Sequence, residues 1–243
     1  ALGSAHRTSQ RTLKYEEPDS TLAAKEPYKA ILSHDSAFFG AVGQQQPDAL
    51  LALEQALART WLGRTPSEFE SEVLAYLQVQ KSEKFEKPYT ELVYQPMLEL
   101  FDLLTANDFR VFVCSGGGRE FMRAFSESAL GVPREHVIGT SPVYEYKDKE
   151  IRRGDQLLGG LALGPGKTEH IFAYAGRMPA LAGGNADVDI EMLEAATFSL
   201  LVIHDDGERE FAYAKGAERA QAEAKANGWT TVSMKDDWSV IFP

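Results

Sequence analysis

Three short segments of the sequence combine glycine with side chains that bind ions. Ser115 lies within residues 114–118, Cys-Ser-Gly-Gly-Gly, where a hydroxyl and consecutive backbone N–H groups could hold an anion. Lys167 lies within residues 164–169, Gly-Pro-Gly-Lys-Thr-Glu, at a predicted helix start. A cation is unfavourable there, which indicates an external anion. Residues 183–189, Gly-Gly-Asn-Ala-Asp-Val-Asp, contain an amide and two carboxylates that suit a hard cation such as Mg²⁺.

Each segment also has an ordinary structural explanation. The glycines after Ser115 could relieve steric crowding in a tight turn between a strand and a helix. Lys167 could be a solvated side chain that follows a turn, and Asp187 or Asp189 could cap a helix. Taken one at a time, the segments leave both explanations open.

Alternating strands and helices must position these segments. Residues 198–203 form a continuous apolar run, which is typical of a strand buried on both faces. Further strands are predicted over residues 110–114, 137–138, 179–182 and 230–232, and helices over residues 90–107, from Arg119, and over residues 189–195 and 214–226. This alternation predicts an α/β fold with a mostly parallel sheet and helices on both faces. Ligand sites of such sheets lie at the carboxyl ends of the strands.

The residues before Tyr89 have a helical composition. Residues 19–63 are rich in Ala, Leu and Gln, and Pro47 suits the first position of a helix. A second helix is predicted to open at Thr65, with Glu68 completing a capping box. The region looks like a helical cap inserted into the α/β core.

The composition disfavours several classes of protein. The 243-residue chain has a formal net charge of −11, so we expect neither nucleic acid nor membrane as a partner. The single cysteine, Cys114, excludes an intrachain disulfide and a multi-cysteine metal site. No apolar stretch approaches the roughly 18 residues that span a bilayer. The sequence begins with Ala1, and we expect a soluble protein, cytoplasmic or exported after cleavage of a segment not present here.

The order of the three segments resembles motifs two, three and four of the haloacid dehalogenase superfamily. That order is serine after a strand, then lysine, then Gly-Asn-x-x-x-Asp after another strand. Four stretches are similar to one branch, the phosphoserine phosphatases: residues 64–66 with 68–69, residues 88–97, residues 115–123 and residues 227–238. The resemblance implies a Rossmann-like three-layer core, residues 1–18 and 89–243, and a helical cap, residues 19–88, inserted after the first strand.

The resemblance also implies an Mg²⁺-dependent phosphomonoesterase. In this family an aspartate on the first strand attacks phosphorus, and a second aspartate two residues later acts as general acid and base. This chain has Thr8 and Gln10 at those positions. A threonine hydroxyl without a neighbouring base is a poor nucleophile, and glutamine cannot transfer a proton. We therefore expect a catalytically impaired or inactive protein, a pseudoenzyme.

The remaining site residues follow from the same resemblance. Lys167 would be the catalytic lysine, and four residues would bind phosphate: Ser115, Gly116, Gly117 and Lys167. Asn185 and Asp189 would be the metal ligands. Without the two aspartates of the first motif, Mg²⁺ loses its main anionic ligands, and we expect its binding to be weak or absent.

Two functions remain open, with a scaffold that has no ligand site as a third. The first is a degenerate member that keeps a pocket for a small phosphorylated molecule or phosphate-like anion and acts in binding, regulation or assembly with a protein partner. The second is an active phosphatase or hydrolase of a small phosphorylated metabolite, with its nucleophile elsewhere. Asp205 and Asp206, after the predicted strand at residues 198–203, superficially resemble the first motif. Cys114 is expected to be a core residue.

Overall fold

The described part of the chain forms two compact units. The computed structural model describes residues 23–43, 46–213 and 216–243. The first unit, here called the hairpin unit, contains the described residues up to Glu72 together with residues 141–160. The second, the sheet unit, contains residues 73–140 and the described residues from Leu161 onwards. All three ion-binding segments predicted from the sequence lie in the sheet unit.

The described residues of the two units form ten α-helices and seven strands. The α-helices are α1 (Tyr28–Leu32), α2 (Ser36–Gly43), α3 (Pro47–Thr60), α4 (Pro66–Val79), α5 (Gln95–Ala106), α6 (Arg119–Arg123), α7 (Ser126–Leu130), α8 (Pro165–Ala175), α9 (Ile190–Glu194) and α10 (Glu218–Asn227). The strands are β1 (Val113–Gly118), β2 (Val137–Thr140), β3 (Pro142–Lys147), β4 (Glu150–Leu157), β5 (Leu181–Gly184), β6 (Phe198–Ile203) and β7 (Thr230–Ser233). Within the described ranges, no helix is both long and apolar enough to cross a membrane.

The strands of the sheet unit pair in parallel. β1 pairs with β2, and β5, β6 and β7 form a second sheet in that order. Because paired parallel strands run in the same direction, their carboxyl ends lie on one edge of each sheet. The predicted α/β fold with mostly parallel strands is confirmed, and β6 has the bounds that its apolar run predicted.

One apolar core lies against these strands. Its most deeply buried members include Leu193, which has no exposed surface, and Leu201, which is 1% exposed. The cluster joins β2, β5 and β6 to α8, α9 and α10, and its buried members are Ile138, Ile171, Ala182, Ile190, Met192, Leu193, Leu201, Ala220 and Ala224. Burying one such large aliphatic side chain stabilises the fold by about 1.5–3 kcal/mol. This core holds the strand ends that carry the candidate site.

Two predicted helices begin later than the sequence suggested. α5 starts at Gln95 and not at residue 90, with Pro96 in its first turn. Proline has no N–H to donate to the preceding turn, so it suits a helix start and not a helix interior. α10 starts at Glu218 and not at residue 214. Gly216, at φ +87°, has a left-handed backbone conformation that a right-handed helix cannot include.

The glycines after Ser115 belong to a strand, whereas the sequence placed them in a loop. β1 continues to Gly118, which pairs with Thr140, and the register shifts between Ser115 and Gly118. A Cβ at Gly116 would overlap the side chain of Leu163. These glycines therefore allow an irregular strand end and a close contact that other residues would prevent.

The hairpin unit is formed by helices and one antiparallel hairpin. α3 starts at Pro47 as predicted. The predicted capping box is also present, because the Glu68 backbone N–H donates to Thr65 Oγ1 at 3.2 Å and the Thr65 backbone N–H donates to Glu68 Oε2 at 2.8 Å. An apolar cluster of Tyr28, Ile31, Val42, Leu53 and Ala56 joins α1, α2 and α3.

The hairpin of β3 and β4 was not predicted. Its two turn residues, Asp148 and Lys149, both have positive φ, at 53° and 66°. Two-residue hairpin turns with positive φ at both positions usually have glycine at the second. Because Lys149 occupies that position, the sequence lacks the Asp-Gly pair that predicts such a turn. The alternation of Tyr144 and Tyr146 with charged residues was the remaining sign of a strand.

Glu54 is a partly buried acid of the hairpin unit. Its pKa is raised from 4.5 to about 7, because burial disfavours the charged carboxylate more than the nearby Arg153 favours it. Arg153 is itself buried, with its guanidinium carbon 4.0 Å from the centre of the Phe69 ring. The raised pKa of Glu54 makes the stability of the hairpin unit depend on pH near neutrality.

The predicted boundaries between core and cap stay a prediction. Residues 1–18, the first part of the predicted core, lie outside the described residues. The hairpin unit combines helices of the predicted cap with residues 141–160, which the sequence assigned to the core.

Candidate functional site

Lys167 is the centre of a buried cluster in the sheet unit. It lies in the first turn of α8, and its side chain is 7% exposed. Its Nζ donates to the carbonyl oxygen of Cys114 at 3.0 Å and lies 2.9 Å from Oδ1 of Asp189. Cys114 belongs to β1, and Asp189 belongs to the 3₁₀ turn that follows β5. Parts of all three predicted segments therefore meet at one ammonium group.

Two glycines allow the backbone before Lys167 to turn tightly. Gly164 precedes α8 with φ +53°, and a Cβ at Gly166 would overlap the carbonyl oxygen of Leu161. The start of α8 consequently packs directly on the preceding segment. Lys167 brings a positive charge to the positive end of a helix, which is unfavourable in isolation. The structure offsets that charge with Asp189 instead of exposing the lysine to water.

Asp189 uses both carboxylate oxygens. Oδ2 accepts hydrogen bonds from the backbone N–H groups of Asn185 at 2.9 Å and Ala186 at 3.1 Å, while Oδ1 faces Lys167. A Cβ at Gly184 would lie 2.6 Å from the Cβ of Asp189, so glycine is needed for this close approach. The carboxylate thus stabilises the turn after β5 and neutralises the lysine, but it makes no side-chain cap hydrogen bond to α9, the helix start at which the capping explanation placed it.

The described residues do not fit a magnesium site. Asp189 has its oxygens engaged by Lys167 and by two backbone N–H groups, and Asn185 directs its Nδ2 to the hydroxyl of Tyr213. Within the described ranges, no group of three His, Cys, Asp or Glu side chains could hold a metal ion. A hard cation needs several oxygen ligands that are not committed elsewhere.

Ser115, Gly116 and Gly117 form the irregular end of β1. Ser115 Oγ accepts a hydrogen bond from the Gly117 backbone N–H at 3.2 Å, which leaves the hydroxyl proton for a further acceptor. The Gly116 carbonyl accepts from Thr140 Oγ1 at 2.9 Å, and Thr140 Oγ1 in turn accepts from the Ala162 backbone N–H at 3.0 Å. These bonds connect β1, β2 and the segment before α8. Ser115 is the residue that follows Cys114, whose carbonyl oxygen accepts the hydrogen bond from Lys167.

Tyr213 is a site residue that the sequence did not reveal. Its hydroxyl accepts a hydrogen bond from Asn185 Nδ2 at 2.6 Å. Tyr213 is 42% exposed, yet the desolvation of its hydroxyl, with a contribution from Glu210, raises the pKa of Tyr213 to about 12, so the phenol is neutral at ordinary pH. Tyr213 lies in a polar run without helical or strand periodicity. The only sign in the sequence was an aromatic residue within a charged segment that follows a strand.

Asp205 and Asp206 are held by structural hydrogen bonds. Asp205 accepts from Ser233 Oγ at 2.6 Å and from the Lys235 backbone N–H at 3.0 Å. Burial disfavours its charge, yet these hydrogen bonds leave the pKa of Asp205 below its usual value. The backbone N–H of Arg209 contributes most to lowering the pKa of Asp206. Both groups favour the ionised form and fix the turn after β6.

Cys114 packs against the apolar core, as predicted. Burial raises the pKa of its thiol, although the neighbouring Lys167 acts in the opposite direction. A thiol with a raised pKa is a weak nucleophile at neutral pH. Thr8 and Gln10, the predicted substitutes for the two aspartates, lie outside the described residues.

The sequence profile of the haloacid dehalogenase-like hydrolases matches residues 19–194, well over half of the chain. The chain belongs to the haloacid dehalogenase-like hydrolase family. This match includes Ser115, Lys167 and Asn185. A comparison with curated proteins found no match.

Two solved structures are similar to this haloacid dehalogenase-like protein. A conserved protein of unknown function from Anaerococcus prevotii DSM 20548 is 14% identical with a TM-score of 0.53, and the match covers 72% of this chain and 51% of that chain. This likeness shows a shared fold, over about half of the Anaerococcus protein. A phosphoserine phosphohydrolase-like protein from Francisella tularensis subsp. tularensis SCHU S4 is 18% identical with a TM-score of 0.39, over 80% of this chain and 89% of that chain.

Proposed function

We propose that this haloacid dehalogenase-like protein binds a small phosphorylated molecule or phosphate-like anion at Ser115 and Lys167. In this proposal it derives from the phosphoserine phosphatase-like branch and has lost most or all phosphatase turnover. Thr8 and Gln10 stand where the resemblance places the nucleophile and the acid–base group, and neither can do that chemistry unaided.

The meeting of Cys114, Lys167 and Asp189 is the observation that carries the proposal. A buried ammonium bound to the carbonyl of Cys114, the residue before a serine whose hydroxyl has a proton to donate, suits a phosphate oxygen. Asp189 offsets the charge of Lys167, so the attraction between Lys167 and a bound anion would be weaker than that of an unpaired lysine. We therefore expect moderate and not tight binding of inorganic phosphate.

The charge of the site also favours binding without magnesium. The two carboxylates of the family's first motif, the first of which holds Mg²⁺, are replaced by the neutral Thr8 and Gln10. Two fewer negative charges weaken the attraction for a cation and reduce the repulsion of an anion. Phosphate affinity should therefore be insensitive to Mg²⁺.

Calorimetric titration tests the binding. Inorganic phosphate and orthovanadate should bind the wild type equally with Mg²⁺ and with EDTA, and Lys167→Ala should abolish binding. Lys225→Ala is the matched control, because Lys225 is an exposed lysine of α10. Absence of binding to the wild type, or unchanged affinity in Lys167→Ala, would contradict the proposed pocket.

Restoring the two carboxylates tests the loss of turnover. The Thr8→Asp/Gln10→Asp variant should gain Mg²⁺-dependent hydrolysis of p-nitrophenyl phosphate, while wild type and the Ser9→Asp control stay at background. Vigorous Mg²⁺-dependent turnover by the pure wild type, abolished in Lys167→Ala, would instead establish the alternative, an active phosphatase with another nucleophile.

A further inference from the structure

A chain of polar contacts connects the segment after β6 with the end of β1. Asn185 Nδ2 donates to the Tyr213 hydroxyl at 2.6 Å, and the Asn185 backbone N–H donates to Asp189 Oδ2 at 2.9 Å. Asp189 Oδ1 lies 2.9 Å from Lys167 Nζ, which donates to the Cys114 carbonyl at 3.0 Å. Each contact shares a residue with the next. A displacement of Asn185 would therefore move an acceptor on which the position of Lys167 depends.

Tyr213 is held in place by His204. The two rings are 4.4 Å apart between centroids, and the Tyr213 backbone N–H donates to the His204 carbonyl at 3.0 Å. His204 is buried at the end of β6, and its ring also contacts the ring of Tyr94, at 5.6 Å. These contacts fix the Tyr213 ring without using its hydroxyl. The hydroxyl consequently presents a fixed acceptor to Asn185.

Arg209 anchors the segment that carries Tyr213. Its guanidinium donates to Asp206 and to four backbone carbonyls near the carboxyl terminus, those of Met234, Lys235, Trp238 and Ser239. A planar guanidinium can serve several acceptors at once in a fixed geometry. Residues 204–213 are thus attached to β6 at His204 and to the C-terminal segment at Arg209.

We propose that Tyr213 is a positioning residue that fixes Asn185 and, through Asp189, the ammonium of Lys167. The Tyr213 hydroxyl acts as acceptor, so the Asn185 amide is oriented with its Nδ2 towards the hydroxyl oxygen. This inference rests on the proposed function in taking Lys167 as the anion-binding group. Tyr213 itself acts only through Asn185.

The first experiment needs no ligand. In ¹⁵N-resolved NMR spectra, the Asn185 side-chain amide proton that is donated to the Tyr213 hydroxyl should be shifted downfield in the wild type. In Tyr213→Phe it should move to an ordinary value, and the Lys167 Nζ signal should shift. Phenylalanine keeps the ring against His204 and removes the hydroxyl alone. Tyr146→Phe is the control, because Tyr146 is a 74% exposed tyrosine of β3. Identical Asn185 signals in wild type and Tyr213→Phe would overturn the proposal.

The second experiment measures the affinity for orthovanadate. Loss of one hydrogen bond should weaken binding about two- to tenfold in Tyr213→Phe, with the melting temperature nearly unchanged. In an Asn185→Ala background, Tyr213→Phe should have no further effect, since Tyr213 acts through Asn185. Additive losses in the double variant would refute that route.

The two experiments separate this inference from the proposed function. If the wild type binds neither phosphate nor vanadate, the proposed function fails, and the NMR spectra alone decide whether Tyr213 positions Asn185 and Lys167. If the wild type binds vanadate and Tyr213→Phe binds it equally well, the pocket stands and the positioning role is overturned.

Discussion

Replacing Lys167 with methionine should destabilise the sheet unit strongly. The substitution keeps most of the length of the unbranched side chain but removes its charge, and it leaves Asp189, whose side chain is 7% exposed, without its cation. Breaking a buried ion pair on one side costs about 3–5 kcal/mol in the free energy of unfolding. Asp189 keeps two backbone N–H donors in the variant, so we expect a value near the lower end, about 3 kcal/mol.

A double-mutant cycle makes this prediction quantitative. Asp189→Asn leaves the buried ammonium with the Cys114 carbonyl and should also cost about 3 kcal/mol. The Lys167→Met/Asp189→Asn variant removes both charges together. It should therefore be more stable than either single variant, which corresponds to a coupling energy above about 3 kcal/mol.

Urea unfolding followed by tryptophan fluorescence is a suitable assay, because Trp229 and Trp238 both lie in the sheet unit. If a single variant fails to fold while the double variant folds, the coupling is demonstrated qualitatively. A cost below about 1 kcal/mol for Lys167→Met, additive with that of Asp189→Asn, would refute the view that the pair is buried and coupled.

Three further predictions concern other parts of the molecule. Glu54→Gln should make the protein more stable than wild type at pH 8 and leave it unchanged near pH 4.5, where the two curves from urea unfolding should meet. The pKa of Glu54 is about 7 in the folded protein and 4.5 ordinarily, so the folded state holds its proton more tightly. Wild-type stability therefore falls as pH rises between these values, by up to about 3 kcal/mol. Parallel pH profiles of wild type and Glu54→Gln would contradict this reasoning. Gly166→Ala should lower the melting temperature and cost about 1–3 kcal/mol, because its Cβ would overlap the Leu161 carbonyl oxygen, whereas Gly40→Ala, with open space around it in α2, should be neutral or stabilising. Arg209→Lys should cost about 2–3 kcal/mol in urea unfolding, since an ammonium cannot reach all of the acceptors that the guanidinium serves; an unchanged midpoint would show that the anchor contributes little.

Much of the fold could be predicted from local sequence patterns. The apolar run at residues 198–203 indicated β6 to the residue, and Pro47 and Thr65 indicated the starts of two helices. These signals are local, because periodicity, proline and capping residues act within one turn or one strand. The hairpin at Asp148 and Lys149 escaped prediction because its turn has no glycine.

The candidate site was only partly accessible to such reasoning. The order of Ser115, Lys167 and Asn185 along the chain indicated the family, and the family match covers all three. The expectation of impaired catalysis rested only on the residue types of Thr8 and Gln10. What these residues touch depends on contacts between segments that are far apart in the sequence, which local patterns do not encode.

The sequence by itself determined which groups are available: a lysine, a serine, an amide and a carboxylate, each after a strand or at a helix start. The tertiary structure decided how they are used. It buries Lys167 and pairs it with Asp189, so that a charge that suggested an external anion is offset internally. It also brings Tyr213 to Asn185, a contact between residues 28 positions apart. The parallel strands are part of the physical reason, because the strands of each sheet end on one edge, and Lys167 then joins Cys114 of β1 to Asp189 after β5.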